Sequence, residues 1–161
     1  MMGDMDDLVA FLRARLDEDE QVALESIGQT GVMLAGADAA SVSVWRVVER
    51  QATGTFVTAR DQWDRVTEVV PTYGGMYAEH IARHDPARVL REIDAKRQIV
   101  KAHGVAVLRA GGGAQHFVTA TVCRSCEPNH QFPEQSWPCP TLRLLALPYA
   151  DHPDHLEDWQ P

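Results

Sequence analysis

The sequence predicts an α+β fold, with an N-terminal helix, a small antiparallel sheet, a central helix, and a C-terminal hairpin followed by a last helix. Apolar residues recur at helical spacing near the N-terminus, β-branched residues cluster in the middle of the chain, and a C-x-x-C motif with a third cysteine marks the last third. The chain has 161 residues, of which 45% are apolar. This is enough to bury one core, so we expect a single domain over residues 1–161.

The first predicted element is the N-terminal helix, which Asp4 or Asp6 can cap. Its apolar residues have the three- and four-residue spacing of a buried helix face, at Leu8, Phe11, Leu12 and Leu16. Because glycine is a poor helix former, we expect this helix to end at Gly28 and Gly31.

The small antiparallel sheet is predicted from three segments rich in β-branched and aromatic residues, at positions 41–48, 54–58 and 66–70. Polar, turn-forming residues separate the segments, which is typical of two or three antiparallel strands. A short helix is predicted after the sheet, over residues 76–84.

The central helix has a strong start signal in Asp85-Pro86, because aspartate caps the first turn and proline fits the first helical position. We expect the helix to run to about His103. It is the basic element of the sequence, and the cations on it and just before it are Arg83, Arg88, Arg91, Lys96, Arg97 and Lys101. We expect this basic face to pair with the acidic first helix.

The C-terminal third is predicted as a hairpin and a last helix. Residues 105–108 and 117–122 are the two strands, joined through the glycine triplet 111–113, and residues 140–149 are the helix. The triplet lacks the Lys-Ser/Thr of a phosphate-binding loop. We expect the tail over residues 151–161 to be irregular.

Cys123, Cys126 and Cys139 carry the clearest chemistry in the sequence. The two-residue gap between the first pair lets a tight turn place both thiolates on one tetrahedral zinc ion. Three cysteines cannot all enter disulfides within one chain, and the C-x-x-C spacing favours metal binding over the alternative, a set of reduced core cysteines. A zinc deaminase is excluded, because no His-x-Glu precedes Pro138-Cys139 and position 142 is leucine.

A closed structural zinc site needs a fourth ligand, and three histidines are candidates. His103 ends the central helix, His116 lies in the predicted hairpin, and His130 lies between the second and third cysteines. Spacing alone leaves all three open. Each gives a zinc-stapled C-terminal module over about residues 103–150, in which the Zn²⁺ is structural because no position is left for a catalytic water.

The charge of the chain limits its function classes. A net charge of −8 disfavours nucleic-acid binding, because acidic surface repels phosphate. No stretch approaches the roughly 20 apolar residues of a membrane span. The N-terminus is acidic, unlike a secretory signal. We therefore expect a cytoplasmic protein that makes no contact with membranes.

Three stretches have a specific pattern: residues 5–16, residues 80–97 (HIARHDPARVLREIDAKR) and residues 138–155 (PCPTLRLLALPYADHPDH), with Asp158-Trp159 after the last. On these stretches the chain resembles an uncharacterised small-protein family of actinomycetes and their phages. The resemblance implies ligands in a fixed order: a histidine after Ala-Lys-Arg, then C-x-x-C, then Pro-Cys. In this chain they are His103, Cys123, Cys126 and Cys139. Since the stretch from the histidine to the first cysteine is long, His116 stays as an alternative.

The absence of a nucleophile-elbow, Walker or dinucleotide motif favours a role other than catalysis. We expect a non-enzymatic, zinc-stabilised accessory domain that acts by binding another macromolecule, in the first place a protein. One alternative is an enzyme with a site around Tyr77, His80 and His84. The other is a nucleic-acid-associated protein that uses the basic face of the central helix.

Overall fold

The computed structural model describes residues 4–50, 54–72, 75–110, 117–126 and 137–161. They divide between two units. The first unit combines the chain up to Asp17 with Ala95–Pro161, and the second is Glu18–Asp94. The two longest helices, α1 (Asp4–Met33) and α4 (Pro86–Ala102), contribute residues to both units. The predicted α+β class and its order of elements are confirmed.

Helix α1 is longer than the sequence predicts, and the prediction that it ends at Gly28 and Gly31 is wrong, since it continues through both. The buried side chains of Ile27 and Leu34 hold this part of the chain against its unit. That packing outweighs the roughly 1 kcal/mol that each helical glycine costs. The chain leaves the helix where Gly36, at a φ of 84°, donates its N–H to the Gly31 carbonyl at 3.1 Å, an arrangement that suits glycine.

The second unit contains a three-stranded antiparallel sheet in the order β1 (Trp45–Arg50), β2 (Gly54–Arg60) and β3 (Val66–Thr72). The two later strands match their predicted positions. Proline at position 71 is tolerated because β3 is an edge strand, which has a neighbouring strand on one side only.

The prediction that the first strand starts at residue 41 is wrong, because Ala39–Val42 forms a one-turn helix, α2. Asp38 caps this turn and accepts a hydrogen bond from the Ser41 N–H at 2.8 Å. A local side-chain cap therefore outweighs the β-propensity of the residues that follow it.

The core of the second unit lies between the sheet and its helices. The predicted short helix is confirmed as α3 (Gly75–Arg83), which contacts β1 and β2. The predicted start of α4 is confirmed as well, since the Asp85 carboxylate accepts a hydrogen bond from the Arg88 N–H at 2.7 Å. The core residues are Ile27, Leu34, Val42 and Ala59, with Trp45, Val69 and Leu90 packed against them.

The first unit holds the predicted hairpin and last helix. Strands β4 (Val105–Ala110) and β5 (Phe117–Cys123) pair antiparallel, and helix α5 (Pro140–Ala146) continues into one turn of 3-10 helix, Leu147–Tyr149. A second such turn, Glu157–Trp159, lies in the tail. The glycine triplet of the hairpin lies outside the described residues.

The core of the first unit confirms the predicted buried face of the N-terminal helix. Phe11 is central to it: its ring lies 5.0 Å from the Trp159 ring, so the tail packs on α1. The core comprises Leu8, Phe11, Leu12, Val100, Cys123, Trp137, Cys139, Leu142, Ala146 and Trp159. None of the described helices combines the length and the apolar character that crossing a membrane requires.

Candidate metal centre

Four side chains from four parts of the first unit meet at one point. His103 directly follows α4, Cys123 ends β5, Cys126 lies in the turn after that strand, and Cys139 immediately precedes α5. Their nitrogen and sulfur atoms all lie within 4.8 Å of one another. The structure thus brings together the three cysteines predicted from their spacing and the histidine implied by the family resemblance, and they form a possible Cys3His metal site.

The separations within this cluster match a tetrahedral ion. His103 Nδ1 lies 3.4 Å from the sulfur of Cys123 and 3.5 Å from those of Cys126 and Cys139. Bond lengths of about 2.3 Å to sulfur and about 2.0–2.1 Å to nitrogen give a tetrahedron whose N···S edges are about 3.5–3.6 Å. The three N···S separations therefore match those of a tetrahedral site with bond lengths of this size.

Hydrogen bonding alone does not account for this arrangement. A histidine Nδ1 carries either one hydrogen or one lone pair in the ring plane, so it makes one good hydrogen bond. Here three sulfurs lie at nearly the same distance from it. Nearly equal separation of one nitrogen from three sulfurs is the geometry of groups that coordinate one common ion.

Two hydrogen bonds fix the C-x-x-C turn beside His103. The Arg124 N–H donates to the Gly104 carbonyl at 2.8 Å, and the Ser125 hydroxyl donates to the Ala102 carbonyl at 2.6 Å. The turn is thus tied to the residue on each side of the histidine, which positions the Cys126 sulfur against the ring. These anchors could not be predicted from the sequence, since nothing local to Arg124 and Ser125 indicates which distant carbonyls they meet.

Cys139 is held by α5 and by the core. Its carbonyl accepts hydrogen bonds from the N–H groups of Leu142 and Arg143 at 3.0 and 3.2 Å, which closes the first turn of the helix. Both Cys139 and Cys123 are completely buried and belong to the core that contains Leu142. Two of the four donors are therefore fixed by apolar packing.

The electrostatics of the cluster favour a bound cation. Burial raises the pKa of Cys126 to about 12, and the neighbouring thiols of Cys123 and Cys139 add to this effect. Three thiolates this close repel one another unless a positive charge lies between them, and a divalent ion supplies that charge. All three cysteines are free of disulfides, so each sulfur is available as a ligand.

Two of the three histidine candidates for the fourth ligand, His116 and His130, lie outside the described residues. His80 and His84 are exposed, with ring centroids 4.5 Å apart, and His84 Nδ1 contacts the His80 carbonyl at 2.9 Å. Tyr77, the third residue of the alternative enzyme site, is also exposed, at 64%.

The comparisons with known proteins identify the family. A model described as a family of unknown function (DUF6221) matches residues 5–161, so the chain belongs to that family. This family agrees with the resemblance to an uncharacterised family that the sequence patterns indicate. No curated protein matches the chain, and no solved structure matches it.

Proposed function

We propose that His103, Cys123, Cys126 and Cys139 hold one structural zinc ion, and that this member of the DUF6221 family is a non-enzymatic accessory domain that acts by binding another macromolecule. The observation that carries the metal assignment is the near-equal separation of His103 Nδ1 from the three cysteine sulfurs, at 3.4–3.5 Å.

Zinc is the metal that this donor set favours. Three thiolates and one imidazole are soft and borderline ligands, which select zinc over calcium or magnesium. Four protein donors in a tetrahedron leave no position for water, so the ion would serve structure and not hydrolysis. It would tie together the end of α4, the end of the β4–β5 hairpin and the start of α5.

Metal analysis of the purified protein tests the site. We expect one zinc ion per chain in the native protein and a marked loss in both Cys139→Ser and His103→Ala. His84→Ala serves as the matched control, because it removes an exposed histidine outside the cluster. Full zinc content in Cys139→Ser would contradict the site, and full content in His103→Ala alone would replace His103 with another ligand.

The partner is expected to be a protein and not a nucleic acid. Two of the arginines on α4 are engaged by carboxylates: Arg97 with Asp17 at 2.5 Å and Arg88 with Glu92 at 2.6 Å. This pairing supports the expectation that the basic face neutralises acidic residues of the chain itself. A net charge of −8 suits a partner with a basic surface.

The binding role is tested by affinity capture from producing cells with two baits, the native chain and Cys139→Ser. If the zinc-ordered first unit presents the binding surface, the native bait retains a protein that the variant does not. Failure of the native bait to retain any protein would contradict the proposed role. Unchanged mobility of DNA at low salt would support the choice of a protein partner.

A further inference from the structure

A cleft of about 490 Å³ lies in the first unit, between the N-terminal part of α1 and the last turns of α4. Each helix contributes three residues at i, i+3 and i+4, a spacing that places them on one face. The lining residues are Arg13, Leu16, Asp17, Arg97, Val100 and Lys101. None of them belongs to the proposed zinc cluster.

The charges in this cleft do not cancel. Asp17 and Arg97 form an ion pair across it at 2.5 Å, which neutralises one cation. Arg13 lies one helical turn from Asp17 on α1, and Lys101 lies one turn from Arg97 on α4. Among the described residues, neither of these two has an ion-pair partner. Two like charges therefore line one cleft, an arrangement that an anion would stabilise.

The floor of the cleft is apolar and buried. Leu16 is 1% exposed and Val100 is 5% exposed, so both are fixed in packed interior. Val100 also belongs to the core that carries Cys123 and Cys139. A ligand in the cleft would thus meet two exposed cations, and Leu16 and Val100 close the bottom of the cleft with a small apolar surface.

We propose that this cleft binds a phosphate monoester of a small organic molecule. A phosphate monoester carries about −1.5 to −2 charges at neutral pH, which matches the two uncompensated cations, whereas a carboxylate supplies a single charge. An arginine can bind two phosphate oxygens in its fork, and a lysine adds a point charge. The apolar floor and the volume suit the organic part of the molecule, since small-molecule sites commonly span about 300–1,000 Å³.

Titration with phenyl phosphate, inorganic phosphate and benzoate tests this proposal, with backbone amide shifts followed by NMR in low-salt buffer at neutral pH. We expect phenyl phosphate to bind saturably and more tightly than either other probe. Inorganic phosphate lacks the apolar body, and benzoate lacks the second charge. The shifts should be centred on the cleft residues of α1 and α4.

Arg13→Gln and Lys101→Gln are each expected to weaken phenyl phosphate binding by about tenfold, the effect of losing one charge-assisted hydrogen bond. Arg91→Gln is the matched control, because it removes the same charge from an exposed position of α4 outside the cleft. Asp17→Asn should strengthen binding, because it releases Arg97 from its ion pair. Arg13 and Lys101 are both exposed, so the far-UV circular dichroism spectrum should stay native in these variants.

Three outcomes would overturn the proposal. Phenyl phosphate could fail to saturate at concentrations up to about 10 mM, where a specific site should fill. Arg91→Gln could weaken binding as much as Arg13→Gln, which would indicate non-specific attraction. Benzoate could bind as tightly as phenyl phosphate, which would exclude charge matching as the basis of recognition.

Discussion

Leu142 is a side chain whose removal should specifically weaken the first unit. It is 0% exposed and lies in α5, one turn after Cys139. Leu144 lies on the same helix but is 54% exposed. Leu142→Ala and Leu144→Ala remove the same atoms from the same helix, so the difference in their effects isolates the contribution of burial.

The magnitude follows from that difference in exposure. Truncating a fully buried leucine to alanine costs about 2.7–5.0 kcal/mol, because lost transfer free energy and a residual cavity add together. Truncating a half-exposed leucine to alanine costs less than about 1 kcal/mol. We therefore expect Leu142→Ala to lower the free energy of unfolding by about 3 kcal/mol more than Leu144→Ala does.

Native-state hydrogen exchange of amides in β5 and α5 is the appropriate assay, because it reports the opening of the first unit separately from the second. Both variants must be compared at the same free zinc concentration, since an ion that binds only the folded state adds to its stability. A difference below about 1 kcal/mol between the two variants would refute the packing of α5 described above.

Three further predictions test the rest of the fold. Gly28 lies in an exposed helical turn with open space around it, so Gly28→Ala should stabilise the protein by about 0.5–1 kcal/mol. Gly36 has a φ of 84°, so Gly36→Ala should destabilise the protein by about 1 kcal/mol. Chemical unfolding measures both effects. Burial alone would raise the pKa of Asp61, but hydrogen bonds from Arg65 and the Trp63 N–H lower it below the ordinary 3.8. The ionised Asp61 therefore stabilises the folded state fully above pH 3.8, and this stabilisation is lost as the pH falls through the folded pKa. Thermal unfolding of Asp61→Asn should accordingly show a weaker loss of stability in acid than the native chain. Trp159→Ala should lower the free energy of unfolding by about 3–5 kcal/mol. Trp63→Ala removes a 60% exposed ring and should lower it by less than about 1 kcal/mol, and chemical unfolding measures both.

The structure is predictable from the sequence where a local signal decides it. Asp85-Pro86 marks the start of α4 because the cap and the fixed φ of proline act within one turn. The C-x-x-C motif indicates a metal site because two ligands come from one turn. The prediction failed for the end of α1, where tertiary burial of Leu34 outweighs the low helix propensity of Gly28.

The fourth member of the cluster shows the same limit. Spacing left His103, His116 and His130 open, because the ligand is chosen by which chain segments meet and not by their separation in sequence. The cleft is a clearer case. Arg13 and Lys101 are 88 positions apart, and no local pattern indicates that two helices bring them to one surface.

The C-terminal end of α4 takes part in both proposed sites, so substitutions at the two sites should have different effects. Lys101 lines the cleft, and two residues later His103 contributes its ring to the metal cluster. Loss of zinc through His103→Ala should loosen the helix end and so weaken phenyl phosphate binding. Lys101→Gln alters only an exposed side chain, so it should leave the zinc content intact. If Lys101→Gln also lost zinc, the expected independence of the metal site from that side chain would be wrong. If His103→Ala lost its zinc but bound phenyl phosphate as tightly as the native chain, the shared helix would not link the two sites.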